Sequence, residues 1–172
     1  MRIDRNEMLM WFAHIAAFRS TCNRAHVGAV IAQDGRVVSS GYAGAPSGMP
    51  HCGPQCNTDS PCTRTVHAEA GAISYAARAG IKLDGATLYC THAPCQDCAK
   101  LIINSGISKV YYETPYRKTE GIELLRSVGI TVTQWARSEL PALPPVGTCG
   151  DPLQLGFRFG EDNGSPGGPD CG

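Results

Sequence analysis

Two short segments, His67-Ala68-Glu69 and Pro94-Cys95-Gln96-Asp97-Cys98, constrain the fold of this chain more than anything else in it. Cysteines at i and i+3 in the first turn of a helix point to the same side, and the positive end of the helix dipole favours their thiolates. One imidazole and two thiolates give Zn²⁺ three ligands and leave the fourth tetrahedral position open, the layout of a catalytic rather than a structural site. A fold that uses this set must bring the helix starting at His67 and the helix starting near Cys95 to one point. Glu69 can then stand beside the open position without ligating the ion, and a carboxylate next to metal-activated water suits hydrolysis. A structural knot made of His67, Cys95, Cys98 and some fourth cysteine would need neither the Glu69 carboxylate nor Pro94 at a helix start.

The segments around this pair read as alternating elements. Asp4-x-x-Glu7 is a helix cap with its partner, and the apolar run behind it predicts a helix from Asp4 to about Ser20. Val27–Ile31 and Arg36–Val38 flank Asp34-Gly35, the dipeptide of a tight hairpin turn. Residues 41–65 are rich in Gly, Pro and Cys and show no periodicity, and an irregular stretch of that length is usually functional or metal-stapled. Beyond it, helices are expected over Val66–Arg78, from Pro94 to Gly106 and over Glu120–Val128. Strands are expected over Ala86–Thr91, Lys109–Glu113 and Ile130–Trp135. The order α-β-β-α-β-α-β-α-β implies an α/β fold, a mixed five-stranded sheet with helices on both faces. Residues 1–140 then form the domain, and 141–172 form a Pro/Gly-rich tail, partly disordered, whose apolar middle spans Leu153–Phe159.

Composition excludes several classes. Lys+Arg and Asp+Glu are 15 each in 172 residues, so the formal net charge is zero, and a chain that lives on phosphate backbones carries a basic excess. Nucleic acid is therefore not the expected partner. Nine cysteines would suit a disulfide framework in a small secreted domain, but the number is odd and the C-x-x-C beside histidine favours metal. The apolar run Met8–Phe18 is preceded by Asp4 and Glu7 and followed by no small-x-small site, so it is not read as a signal peptide. No run reaches the roughly 18 apolar residues of a membrane span. A soluble protein of a reducing cytoplasm, in a bacterium or a phage-infected host, is expected.

The spacing H-x-E followed by P-C-x-x-C is the signature of zinc nucleobase deaminases. The wider sequence resembles the deoxycytidylate (dCMP) deaminase family of the cytidine deaminase superfamily over Cys22 to Val132. The likeness is carried by Cys22-x-Arg24-x-x-Val27-Gly28-Ala29-Val30-Ile31, Gly41-Tyr42-x-Gly44-x-Pro46-x-Gly48 and Cys62-x-Arg64-Thr65-x-His67-Ala68-Glu69. It continues through Thr91-His92-x-Pro94-Cys95-x-x-Cys98-Ala99-Lys100 and Ile107-x-Lys109-Val110-Tyr111-Tyr112. The resemblance implies a three-layer sandwich and deamination of dCMP to dUMP and ammonia. In that chemistry, hydroxide on a zinc held by His67, Cys95 and Cys98 attacks C4 of cytosine. Glu69 shuttles the protons, and the Ala68 backbone N–H meets the pyrimidine carbonyl. It also implies substrate contacts from Ala43, Gly44, Arg24, Tyr116 and Arg117, with Arg64 and Lys118 as further cations for the phosphate. A second, structural zinc is implied at Cys22, Cys52 and Cys62, with Cys56 or His51 as the fourth ligand, and a hexameric assembly subject to dCTP and dTTP is implied too.

Two positions depart from the family pattern. Ala43 stands where relatives read Gly-Tyr-Asn-Gly, and Gly71 stands where they carry Asn two residues after the glutamate. Both changes remove polar contacts at the substrate's edge, so a modified cytosine nucleotide such as 5-methyl- or 5-hydroxymethyl-dCMP, or another nucleotide or nucleoside, is the alternative substrate. Cys90, His14 and His26 read as ordinary packing or loop residues, and Cys149 and Cys171 carry no evident role.

Overall fold

The computed structural model describes residues 3–22, 24–52, 62 and 64–136. The expected tail, 141–172, and the candidate ligand Cys56 lie outside them. The chain runs α1 (Arg5–Ala17), β1 (Gly28–Gln33), β2 (Arg36–Tyr42), α2 (Ala68–Arg78), β3 (Thr87–His92), α3 (Gln96–Asn104), β4 (Lys109–Thr114), α4 (Glu120–Ser127) and β5 (Thr131–Gln134). These are the expected elements in the expected order. Asp4 caps α1, its side chain accepting from the backbone N–H of Asn6 at 2.8 Å. Asp34 and Gly35, at φ 50° and 76°, close the β1–β2 hairpin in the left-handed conformation that such a turn requires.

The five strands form one sheet in the order β2-β1-β3-β4-β5. β1 pairs antiparallel with β2 and β3, and β3–β4 and β4–β5 are parallel, so the sheet is mixed. Alternate residues of the inner strands serve opposite faces. On one face Ala29, Ile31, Leu88, Cys90 and Val110 pack with Ala68, Ala72, Ala76, Ala99, Ile102 and Leu125 from α2, α3 and α4. On the other, Val30, Ala32 and Tyr89 meet Leu9, Met10 and Ala13 of α1. Residues without side-chain bulk bring two of these helices close. A Cβ on Gly41 would lie 2.2 Å from the Ala68 carbonyl oxygen and 2.4 Å from the Ala72 nitrogen, so α2 rests directly on the β2 backbone.

Several helix ends differ from the sequence reading. α1 stops at Ala17 rather than Ser20, and Arg19 and Ser20 continue only as a tight turn on the carbonyls of Ala16 and Ala17. The Ser20 hydroxyl is drawn instead to the Ala43 carbonyl, 2.7 Å away. α2 begins at Ala68 rather than Val66, because Val66 is bridged to Gly44. α3 begins at Gln96 with Cys95 as its N-cap, so Pro94 stands ahead of the helix rather than in it, and the helix ends at Asn104. The Pro94 carbonyl packs against Gly121, where a Cβ would lie 2.2 Å from it, and Cys95 after it is in extended conformation.

Candidate active site

The parallel strands direct their C-terminal ends, and the loops after them, toward the starts of α2 and α3. His67 is the N-cap of α2 and Cys95 the N-cap of α3, both in extended backbone conformation. An N-cap side chain leaves the helix at the end where the first N–H groups have no intrahelical partner. Cys98 follows one turn into α3. The His67 Nδ1 lies 3.4 Å from the Cys95 Sγ and 3.5 Å from the Cys98 Sγ. Among the described residues this is the one group of three or more His, Cys, Asp or Glu side chains whose ligand atoms all lie within 4.8 Å of one another. Tetrahedral Zn²⁺, with bonds of about 2.3 Å to sulfur and about 2.0–2.1 Å to nitrogen, places those ligands about 3.5–3.6 Å apart. The donor set and its spacing fit zinc.

The three groups perturb one another's proton affinities through their mutual hydrogen bonds. Hydrogen bonds from Cys98 and His67 bring the Cys95 thiol down to about 4, while the hydrogen bond to Cys95 raises the His67 imidazolium to about 9. Cys98 is pushed up by its hydrogen bond to Cys95 and by burial. A divalent ion displaces protons from these groups, so binding is coupled to their release. Access is one-sided: Cys98 is buried, Cys95 half-buried and His67 exposed.

Glu69 lies in the first turn of α2, buried with only 4% of its surface exposed. Burial pushes its carboxyl up to about 7, against the lowering effects of a backbone hydrogen bond, His67 and the Cys98 side chain. Cys90, on the facing strand β3, is near enough for its own thiol to be raised by Glu69 as well as by burial. The carboxyl thus sits between the ligand cluster and the apolar core. Such a group can hold a proton near neutral pH and pass it on.

The remaining expected residues fall in three places. Ala43 and Gly44 are buried in the segment after β2, which pairs with the residue before His67: the Gly44 and Val66 backbones exchange N–H···O bonds of 3.2 and 2.8 Å. Tyr116 and Arg117 follow β4. The Tyr116 ring packs against the cluster of Ala93, Tyr112 and Ile122, and the Arg117 guanidinium lies 5.7 Å from its centroid. Ala93 donates to the Thr114 carbonyl at 2.8 Å, which ties this loop to the one carrying Cys95. Cys62 is the centre of the third group. It lies 3.3 Å from the Thr65 hydroxyl, which also faces Cys52 at 4.0 Å and hydrogen-bonds Cys22. Cys62 is brought down to about 7, mainly by Thr65, with Arg24 contributing its charge. Cys22, Cys52 and Cys62 therefore gather around Thr65 rather than within ligand distance of one another. His51 is exposed. Arg64 donates to the Pro50 carbonyl.

Sequence reasoning did not single out Gly121, and it named Gly41 only within a family motif and Ser20 only as a helix end. Each acts through contacts between segments far apart in the chain. Gly41 lets α2 descend onto β2, and Gly121 lets α4 close against the Pro94–Cys95 backbone. Glycine in an otherwise regular strand or at a helix start was the available signal.

Comparison with known proteins fits this arrangement. The family described as "Cytidine and deoxycytidylate deaminase zinc-binding region" matches residues 3–114. ComE operon protein 2 of Bacillus subtilis is 41% identical over 142 residues, covering 81% of this chain and 75% of that protein. Deoxycytidylate deaminase of Enterobacteria phage T4 is 30% identical, covering 78% of this chain and 92% of that protein. The crystal structure of dCMP deaminase from the cyanophage S-TIM5 in complex with dCMP and dUMP superposes with a TM-score of 0.72 at 36% identity, over 78% of this chain and 99% of that one.

Proposed function

This chain belongs to the cytidine and deoxycytidylate deaminase family, and on that footing we propose that it hydrolyses dCMP to dUMP and ammonia. The observation that carries the reading is the convergence of His67, Cys95 and Cys98 at zinc-ligand spacing beside the buried carboxyl of Glu69. Zn²⁺ held by those three side chains supplies the Lewis acidity that makes water a nucleophile near neutral pH. Glu69 does the proton work. It accepts the first proton of the attacking water and delivers it to N3 of the ring, then takes the second from the hydroxyl now on C4 and gives it to the departing amine, so that C4–NH₂ becomes C4=O and ammonia leaves. Its raised affinity for protons suits a group that must both take and give them. The N–H of Ala68, first residue of α2, has no acceptor within its own helix and is free for the pyrimidine carbonyl. Tyr116 and Arg117, tied to the Cys95 loop, are suited to the base and the phosphate.

One observation favours the modified-nucleotide alternative. Gly71 lies inside α2, where glycine costs roughly 0.5–1 kcal/mol relative to alanine. No close contact demands it, since the nearest atom to a Cβ there would be the Gly41 Cα at 3.8 Å. A methyl there would make ordinary contacts with the Tyr42 carbonyl oxygen and the Val66 side chain as well, beside the 43–45 segment.

Three further expectations accompany this reading. A second, structural zinc would use Cys22, Cys52 and Cys62 with Cys56 or His51, supported by the gathering of the first three around Thr65. Assembly into hexamers answering to dCTP and dTTP is the expected quaternary behaviour. A cytoplasmic location fits the described cysteines, all of which are free, and no described helix is long and apolar enough to cross a membrane.

The deciding experiment is ammonia release with purified protein against dCMP, 5-methyl-dCMP, 5-hydroxymethyl-dCMP, dCTP, deoxycytidine, CMP and dAMP. Preference for dCMP establishes the main reading. Preference for a 5-substituted nucleotide establishes the alternative, and turnover of none of them removes both.

A further inference from the structure

The geometry points to Ser20 and Thr21 as positioning residues that hold the 43–45 segment in register with His67. The inference rests on the reading above, in which that segment borders the substrate.

The end of α1 makes a dense set of contacts with this segment. The Ser20 hydroxyl donates to the Ala43 carbonyl at 2.7 Å, and the Thr21 N–H donates to the same oxygen at 3.1 Å. Ser20 Oγ also lies 3.3 Å from the Ala25 carbonyl and accepts from the Cys22 N–H at 3.3 Å, so one hydroxyl joins three stretches of chain. The Thr21 hydroxyl accepts from the Ala45 N–H at 3.4 Å. It can approach only because residue 44 is glycine: a Cβ there would lie 2.6 Å from the Thr21 Oγ1.

What is held in this way is joined directly to the metal-ligand helix. The Ala43 N–H donates to Val27 at 2.9 Å, and Gly44 and Val66 form a two-bond bridge immediately before His67. The path Ser20–Ala43–Gly44–Val66–His67 thus crosses from α1, on one face of the sheet, to α2, on the other. A helix on the face remote from the ligand cluster sets the height of the substrate-side wall relative to it. None of these side chains touches His67, Cys95 or Cys98, so their effect falls on substrate fit rather than on the metal or the proton shuttle.

The test compares the full-length zinc enzyme with Ser20→Ala, Ser20→Thr and Thr21→Val, the last keeping the shape of threonine while removing its acceptor. With dCMP, Ser20→Ala and Thr21→Val are expected to raise KM about five- to tenfold, as one lost hydrogen bond would. kcat should stay within about twofold, and zinc content should not change. Ser20→Thr, which retains the hydroxyl, should recover most of the affinity. Hydrogen exchange at the amides of Gly44 and Ala45 should accelerate in Ser20→Ala while that of Val30 and Leu88 does not. An unchanged KM in both deletion variants overturns the assignment, as does a fall in kcat and thermal stability with KM constant. The exchange measurement needs no turnover. If the unsubstituted enzyme does not act on dCMP, the proposed function falls, and unchanged protection at residues 44 and 45 separately overturns the clamp.

Discussion

A carboxyl group with only 4% of its surface exposed, set against a thiol and a ligand cluster, has given up most of its hydration. Proton transfer is the use that repays such a placement. Glu69→Ala is expected to retain zinc, the fold and thermal stability within about 1–2 kcal/mol, while kcat falls about a thousandfold or more. Metal analysis, circular dichroism and ammonia release check the three parts, and full activity would remove Glu69 from the mechanism. A second titration belongs to the opposite face. Tyr89 donates to the Asn6 side chain at 2.7 Å and stacks on Tyr111, and burial pushes its hydroxyl up to about 12. An unfolded tyrosine releases its proton near 10, so between about pH 10 and 12 the folded chain binds more protons than the unfolded one. Stability must therefore decline as pH rises through that window. Denaturant titrations of Tyr89→Phe should show a shallower decline there than the parent, and parallel curves would mean that Tyr89 does not carry it.

At the scale of elements, two glycines in contact make opposite predictions. Gly41→Ala drives a Cβ into the backbone of α2 and should cost about 3 kcal/mol or more, since neither strand nor helix can yield there without moving His67. Gly71→Ala meets only ordinary contacts and should stabilise by roughly 0.5–1 kcal/mol. Chemical denaturation of both variants checks the contrast. The same scale shows what could be read from the sequence. The identity and order of all nine elements were legible, because caps, turn dipeptides and apolar periodicity are local properties. So was the meeting of His67 with Cys95 and Cys98, because donor chemistry admits few other arrangements. Helix ends were not: beyond α1 the Ser20 hydroxyl is bonded to the Ala43 carbonyl, and α3 begins at Gln96, after a Pro94 carbonyl packed close to Gly121. Those are long-range contacts, and the local sequence at the helix ends does not name their partners. Of the cysteines expected to hold a second zinc, Cys22, Cys52 and Cys62 have Thr65 as a neighbour, and Cys56 lies outside the described residues.

For the whole molecule, the three ligand side chains stand at the starts of α2 and α3, so an ion held by them joins the two helices. An ion that binds only the folded chain stabilises it by RT ln(1 + [L]/Kd), about 2.7 kcal/mol at a hundredfold excess over Kd. Chelation should therefore lower the unfolding temperature by about 2–4 °C for each kcal/mol lost, and restored zinc should return it. A melting temperature indifferent to chelator and zinc alike would mean that these ligands contribute nothing to folding.

The groups of the site are divided along the chain: the imidazole ligand and the carboxyl come from residues 67–69, both thiolates from residues 95–98, and between them lies Gly80, exposed, at φ 68°, with nothing within 4 Å of where a Cβ would stand. A backbone severed at that turn yields two fragments, one with the imidazole alone and the other with both thiolates. Neither half offers the tridentate grip, so recovered turnover on mixing would report reassembly of the sheet itself. The protein thus contains, in its own connectivity, the design of a metal-dependent complementation pair.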